Sequence, residues 1–253
     1  MEPRAVRLRY DDVRVDPAGW EIPEGTVPES PLHDDLCERF KLVLEHWVER
    51  TQRDAEVYRN IAVRIDPTDR RIGIDPDVCV VSPAPRERRA LTSIASFEHG
   101  PPLLSIEVVS TSHPNKDYRE APARHAATGV TELWVLDPML AGPRTHGGPF
   151  LIQRWARDEA GTLVRTHAGP GPFRSSVLDA FMVMVEGVPR LCDDSVGLGP
   201  WVTRDEALAR AAQAAAQAAR AGEQAALERE KAALAREEAA LRALAEMRAS
   251  ARG

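Results

Sequence analysis

Lysine is almost missing from this chain. Lys41, Lys116 and Lys231 are the only three lysines among 33 cationic side chains, so chemistry that needs a lysine has few positions to use. Cysteine is as scarce: Cys37, Cys79 and Cys192 are an odd set without metal-ligand spacing, and two of them sit inside apolar runs. A disulfide framework is thereby excluded, and the expectation is reduced, buried thiols in a cytoplasmic protein. No apolar run approaches the roughly 20 residues needed to span a bilayer. The start Met1-Glu2-Pro3-Arg4 leads into charged residues, without the apolar stretch of a secretory signal. A Gly-rich phosphate loop and a nucleophile elbow are also absent, which removes nucleoside-triphosphatase and serine-hydrolase readings. The net charge of -6 argues against a protein that coats nucleic acid through many phosphate contacts. An enzyme approaching nucleic acid through one local basic groove stays open.

What is present is enough apolar residue, 43% of 253 positions, for one packed domain and an appendage. Residues 1–30 are rich in Pro, Asp and Glu and read as an N-terminal extension. Leu36, Phe40, Val43, Leu44 and Trp47 recur at helical spacing and predict a helix from about Leu32 to Val48. Tyr58 to Ile65 reads as a partly exposed strand, and Asp66-Pro67-Thr68-Asp69 as the turn of a hairpin returning through Arg71 to Ile74. Strand-length apolar runs follow at Val78 to Val81, Leu103 to Ser110 and Val130 to Leu136, with a helix between the last two. Pro122 falls in that helix, which is expected to start or bend there. Phe150 to Arg157 and Thr162 to His167 predict a second hairpin, and Phe173 to Val188 a closing edge strand. The domain thus spans 31–200. Beyond it, 203–253 is Ala, Arg, Glu, Gln and Leu without proline, with Leu227, Leu234 and Leu241 seven apart. That pattern predicts a long C-terminal helix whose Leu/Ala stripe self-associates as a thin coiled coil.

Two acids stand out against this background. Glu107 is flanked by Ile106, Val108 and Val109, so in a central strand its carboxylate is cut off from water and needs a strong partner such as a divalent metal. Asp77 heads the preceding strand; Asp75-Pro76-Asp77 is equally well a plain turn. If the two strands are neighbours, both carboxylates reach one ion. Metal-assisted hydrolysis of a phosphodiester then also requires a cation near the water or the phosphate.

Taken in order, Asp75-Pro76-Asp77-Val78, Pro102 to Ser110 around Glu107, Asp117, and Gly129-Val130-Thr131-Glu132-Leu133-Trp134-Val135-Leu136-Asp137-Pro138 resemble the Uma-two (Uma2) family of restriction-endonuclease-like proteins, placed in the PD-(D/E)xK nuclease superfamily. The resemblance covers roughly Leu32 to Val188. It implies an α/β fold with a mixed central sheet flanked by helices, a Mg2+ (or Mn2+) site at Asp77 and Glu107, and cleavage of DNA. The family pattern puts its lysine four residues after the position of Asp117, and Ala121 stands there. Two cations could substitute: Lys116 on the loop entering the helix, and Arg124 one turn beyond Ala121, a charge stabiliser but a poor proton acceptor. Asp117 itself and Glu45 on the first helix are possible auxiliary acids, His33 falls near the same region in such folds, and His113 and His125 flank the site helix without a defined role.

The expectation is therefore a bacterial, cytoplasmic, Mg2+-dependent DNA endonuclease that uses Asp77, Glu107 and Lys116, forms a homo-oligomer through its C-terminal helix and does not touch membranes. The alternative is a catalytically degenerate nuclease-fold protein acting in binding or assembly; the missing lysine favours it, and the two retained acids favour the enzyme.

Overall fold

Ser30 starts the first long helix: its hydroxyl accepts the N–H of His33 at 3.2 Å, and Pro31, which has no N–H to leave unpaired, takes the first helical position. Helix α1, Pro31–Thr51, then buries Leu36, Cys37, Phe40, Val43, Leu44 and Trp47 along one face. The computed structural model describes residues 6–9, 30–86 and 91–250. The expected N-terminal extension lies largely outside the described residues.

The face of α1 is covered by a seven-stranded sheet. Its strands are, in spatial order, β1 (Arg7–Arg9), β10 (Thr162–Gly169), β9 (Ile152–Arg157), β8 (Glu132–Leu136), β7 (Pro102–Val108), β5 (Val78–Val81) and β2 (Glu56–Arg59). Neighbours run antiparallel except β7 and β8, which are parallel and joined through helix α3, Ala121–Thr128. A parallel pair needs such a crossover, and Gly129 at φ +83° ends the helix where the chain turns into β8. The fold class is thus α/β with a mixed central sheet and helices, as expected.

Strand period sorts the side chains. Val78 and Val80, Leu104, Ile106 and Val108, Trp134 and Leu136 pack with α1, whereas Cys79 and Val81, Val109, Leu133 and Val135 join the clusters on the α3 side. Because both faces are covered, the central strands read as continuous apolar runs rather than alternating ones. Fully buried side chains such as Leu104, Ile106 and Trp134 contribute about 1.5–3 kcal/mol each. Glu107 belongs to the α3 face by the same alternation.

Two expectations are corrected in detail. The strand expected over Tyr58 to Ile65 is split at Asn60, whose φ of +51° bends the chain so that β2 stays in the main sheet. The continuation β3 (Ala62–Arg64) instead pairs with β4 (Gly73–Ile74) and β6 (Ser93–Ala95), followed by the short helix α2 (Ser96–His99). The segment expected to close the main sheet forms a sheet of its own: β11 (Phe173–Ser175), β12 (Ala180–Val185) and β13 (Val188–Cys192). Its tight turn is Glu186-Gly187, both at positive φ, the geometry that suits a two-residue hairpin.

Arg204–Ser250, a compact unit by itself, is the single helix α4, about 70 Å long at 1.5 Å per residue. Its leucines Leu227, Leu234 and Leu241 are exposed. Among the described residues no helix is long and apolar enough to cross a membrane.

Candidate active site

Val78 of β5 faces Ile106 of β7 across an antiparallel register. Asp77 directly precedes β5, and Glu107 lies within the neighbouring strand β7. The Val108 N–H donates to Asp77 Oδ2 at 2.6 Å, tying the Asp77 carboxylate to the residue beside Glu107. The bend at Asn60 contributes here too: its N–H donates to the Asp77 carbonyl at 3.3 Å, extending the β2–β5 ladder to the acid.

Opposite Glu107 lies the segment after β7. Pro122 cannot donate a helical hydrogen bond, and the chain accommodates it with a widened π-type turn over Lys116–Glu120 before α3 begins at Ala121. This turn buries Asp117, which accepts the Ser110 N–H at 3.1 Å and pairs with Lys116 Nζ at 3.4 Å. Lys116 itself stays half-exposed. Ala121 is buried among Ile61, Val63, Ile74 and Cys79, so the position where the family pattern carries lysine points inward to the sheet. One helical turn further on, on the same face, His125 Nε2 lies 2.7 Å from Glu107 Oε1. Arg124 points elsewhere, toward Glu120 at 3.4 Å.

The electrostatics follow from burial. Removal from water, helped by the nearby Asp77, drives the Glu107 carboxyl well above its usual range, against the opposing pull of Lys116. Burial also raises Asp117 to about 6, despite Lys116 and the Ser110 N–H. His125 is pushed down to about 3 by its complete burial, with Lys116 adding to the effect, and is therefore neutral. Burial alone would lower Lys116, but Glu107, Asp117 and Asp77 together outweigh it and keep the ammonium protonated. Lys116 can thus neutralise charge and donate hydrogen bonds, but it is not a base.

Buried acids elsewhere provide a contrast. Glu132 is satisfied by Trp134 Nε1 at 2.6 Å, Arg154 at 2.9 Å and the backbone and hydroxyl of Ser176, both at 3.2 Å. Asp137 accepts from the Tyr118 hydroxyl and from the N–H groups of Ala141 and Gly142, each at 2.8 Å. These two hold β8 and the loop after it in place. Glu107 has one hydrogen-bond partner among the described residues, His125. Three carboxylates therefore face a single ammonium, and their oxygens are the hard donors a divalent cation such as Mg2+ takes. In the chemistry of their donor atoms, Asp77 and Glu107 fit such an ion.

His33 was expected near the site, but its neighbour Cys37 was not. His33, at the start of α1, places Nε2 3.2 Å from Asp77 Oδ2, and Cys37, expected to be an inert apolar thiol, lies 3.6 Å from the other ring nitrogen of His33. Their spacing of four on a helix was a signal available in the sequence. The role of His125 was legible only once its helix was seen to start at Ala121. Glu45 pairs with Lys41 at 3.1 Å and lies twelve residues beyond His33, about 18 Å along α1. The structure does not bring it to Asp77.

Comparison with known proteins adds a family. The model of the Uma2 family, described as "Putative restriction endonuclease", matches residues 14–142, half of the chain. A solved structure described as "a putative nuclease belonging to DUF820 from Anabaena variabilis ATCC 29413" is similar at 17% identity and a TM-score of 0.42, over 62% of this chain and 78% of that one. No curated protein matches.

Proposed function

We propose, from the premise that the chain belongs to the Uma2 family, a nuclease-like family, that it is a divalent-metal-dependent DNA endonuclease with Asp77 and Glu107 as its metal ligands. The observation that carries the reading is that Asp77, at the head of β5, is tied to the Val108 N–H beside Glu107 and acts on that carboxyl, and that Glu107 is buried without the donors that satisfy Glu132 and Asp137. A bound Mg2+ or Mn2+ supplies Lewis acidity toward the scissile phosphate. Lys116, held protonated by the surrounding acids, sits at the entrance of the cluster and offsets charge on the phosphate. Asp117 anchors Lys116 and the start of the loop after β7. His125 fixes the rotamer of Glu107 from behind. Arg124 is turned toward Glu120 and enters only as background positive charge.

The test is calorimetric titration of Mg2+ and Mn2+ into the wild type, Asp77→Ala and Glu107→Ala, together with cleavage assays on plasmid and single-stranded DNA. Metal binding lost in both variants and metal-dependent cleavage by the wild type are expected. An absence of metal binding overturns the reading.

A second reading is favoured by one observation, the apolar packing of Ala121 where the family's lysine would stand. In it the chain keeps the fold and the metal ligands but not cleavage, and acts in binding or in assembly through α4. Metal binding without cleavage of any DNA supports it.

A further inference from the structure

His33 and Cys37 project from the first two turns of α1, both buried, toward the carboxylate of Asp77. Among the described residues these three side chains are the only group of three or more potential metal ligands whose donor atoms lie within 4.8 Å of one another. Two separations define the arrangement: His33 Nε2 to Asp77 Oδ2 is 3.2 Å, and His33 Nδ1 to Cys37 Sγ is 3.6 Å. One imidazole cannot give both nitrogens to one ion, so the roles separate. An ion bonded at about 2.0–2.1 Å to Nε2 and Oδ2 would subtend roughly 100° between them, near the tetrahedral value. The thiol, on the far nitrogen, is placed as an outer partner that sets the ring's tautomer and direction. Without an ion, Nε2–H donating to Asp77 and the Cys37 thiol donating to Nδ1 satisfy all three groups; an ion on Nε2 takes the other tautomer, with the Nδ1 proton directed at sulfur.

The turn that carries these residues is itself held. Arg59 donates to both Asp34 and Glu38, the helix neighbours of His33 and Cys37, and Arg59 is paired with Val78, directly after Asp77. Helix α1 and strand β2 are thus tied together beside the strand that follows Asp77.

We propose that Asp77 and His33, with Cys37 as a positioning residue, form a site for a transition-metal ion of the Zn2+ class. The inference rests on Asp77 being a metal ligand, as in the function proposed above, and extends it with a nitrogen donor. Imidazole suits Zn2+, Co2+ and Ni2+, whereas Mg2+ keeps to oxygen. The cluster thus has two sides: an all-oxygen side toward Glu107, and a nitrogen-bearing side toward α1.

The experiment uses the full chain, stripped with chelator, in two arms. Crystals of the wild type are soaked in Zn2+ and the ion is located by anomalous scattering, which needs no variant to fold. Zn2+ and Mg2+ are titrated calorimetrically into the wild type, His33→Gln, Cys37→Ala and Glu107→Gln, each checked for an unchanged circular dichroism spectrum. The expected result is zinc bonded to His33 Nε2 and Asp77, a loss of Zn2+ affinity of at least about 100-fold in H33Q, and a loss of about 10–100-fold in C37A. Mg2+ affinity is expected to be untouched in H33Q and lost in E107Q. Zinc found on Asp77 and Glu107 without His33, an H33Q variant that binds Zn2+ as the wild type does, or no zinc binding at all each overturns the proposal. Failure of the function proposed above has a different signature: E107Q then leaves Mg2+ binding unchanged.

Discussion

His125 and Glu107 form a hydrogen-bonded pair at 2.7 Å with both side chains out of water, the imidazole fully and the carboxyl to within 2%. The pair joins α3 to the central strand β7 and couples the candidate ligand to the helix that would carry the family's lysine. A His125→Ala variant removes the sole hydrogen-bond partner that Glu107 has among the described residues and leaves a void beside it. The expected outcome is a loss of about 1–3 kcal/mol in urea unfolding of the metal-free protein, with weaker Mg2+ binding because the rotamer of Glu107 is released. Unchanged stability and unchanged metal affinity together would show that the pair is incidental.

Opposite pH dependences follow from the same cluster. Asp117 has a folded pKa of about 6, above its unfolded value, so the folded state holds its proton more tightly and stability falls as pH rises from about 4 to 6. His125 has a folded pKa of about 3, below its unfolded value, so it contributes stability that is present above about 6.5 and is lost as pH falls toward 3. The wild type carries both effects, and the difference between wild type and Asp117→Asn removes that of His125 and leaves that of Asp117 together with its influence on Glu107. Metal-free wild type should lose about 2–3 kcal/mol relative to D117N between pH 4 and pH 7. Saturating Mg2+ should shrink that difference, because a cation beside the cluster favours the ionised carboxylate. Urea melts across this range measure both.

Much of this was legible beforehand because strand chemistry is local. Glu107 between Ile106 and Val108 marked a buried acid without any knowledge of its neighbours, and the run from Gly129 to Pro138 marked a helix end followed by a buried strand. What could not be read was which acids are already satisfied: Glu132 looks as anomalous as Glu107 until Arg154 and Ser176 arrive from other elements. The break at Asn60 was hidden because β-branched and aromatic neighbours on both sides favour a continuous strand, and a single left-handed residue overrides them. His33 was expected near this cleft through the family resemblance alone, and Cys37 was missed beside it, because their meeting with Asp77 depends on how α1 docks, which no local pattern states.

Gly142 is fixed by a close approach. A Cβ there would fall 2.2 Å from the Tyr118 ring, whose hydroxyl donates to Asp137 and accepts the Phe150 N–H at 2.8 Å. Gly142→Ala must therefore push the ring aside and break the bonds that hold the loop after β8. A loss of about 1–3 kcal/mol is expected. Thermal unfolding reads it, and Tyr118→Phe, which keeps the ring and loses only the hydroxyl, should cost less. If G142A melts with the wild type, the tyrosine has room to move and the loop is not anchored through it.

The helix α4 presents Leu227, Leu234 and Leu241 at seven-residue spacing, exposed by 54%, 56% and 63%. Alanine, glutamate and arginine make the rest of the helix stable enough to form, but a leucine stripe on it gains only when another surface covers it. Spacing of seven keeps that stripe on one seam when two helices wind around each other. The seam is narrow, since alanines accompany the leucines, so each leucine is expected to contribute about 1–2 kcal/mol at most. Sedimentation equilibrium of the full chain should give a multiple of the monomer mass. Replacing all three leucines with glutamine should return it to monomer without altering the melt of residues 30–203. A full chain that sediments as a monomer at tens of micromolar would show that the stripe does not drive self-association.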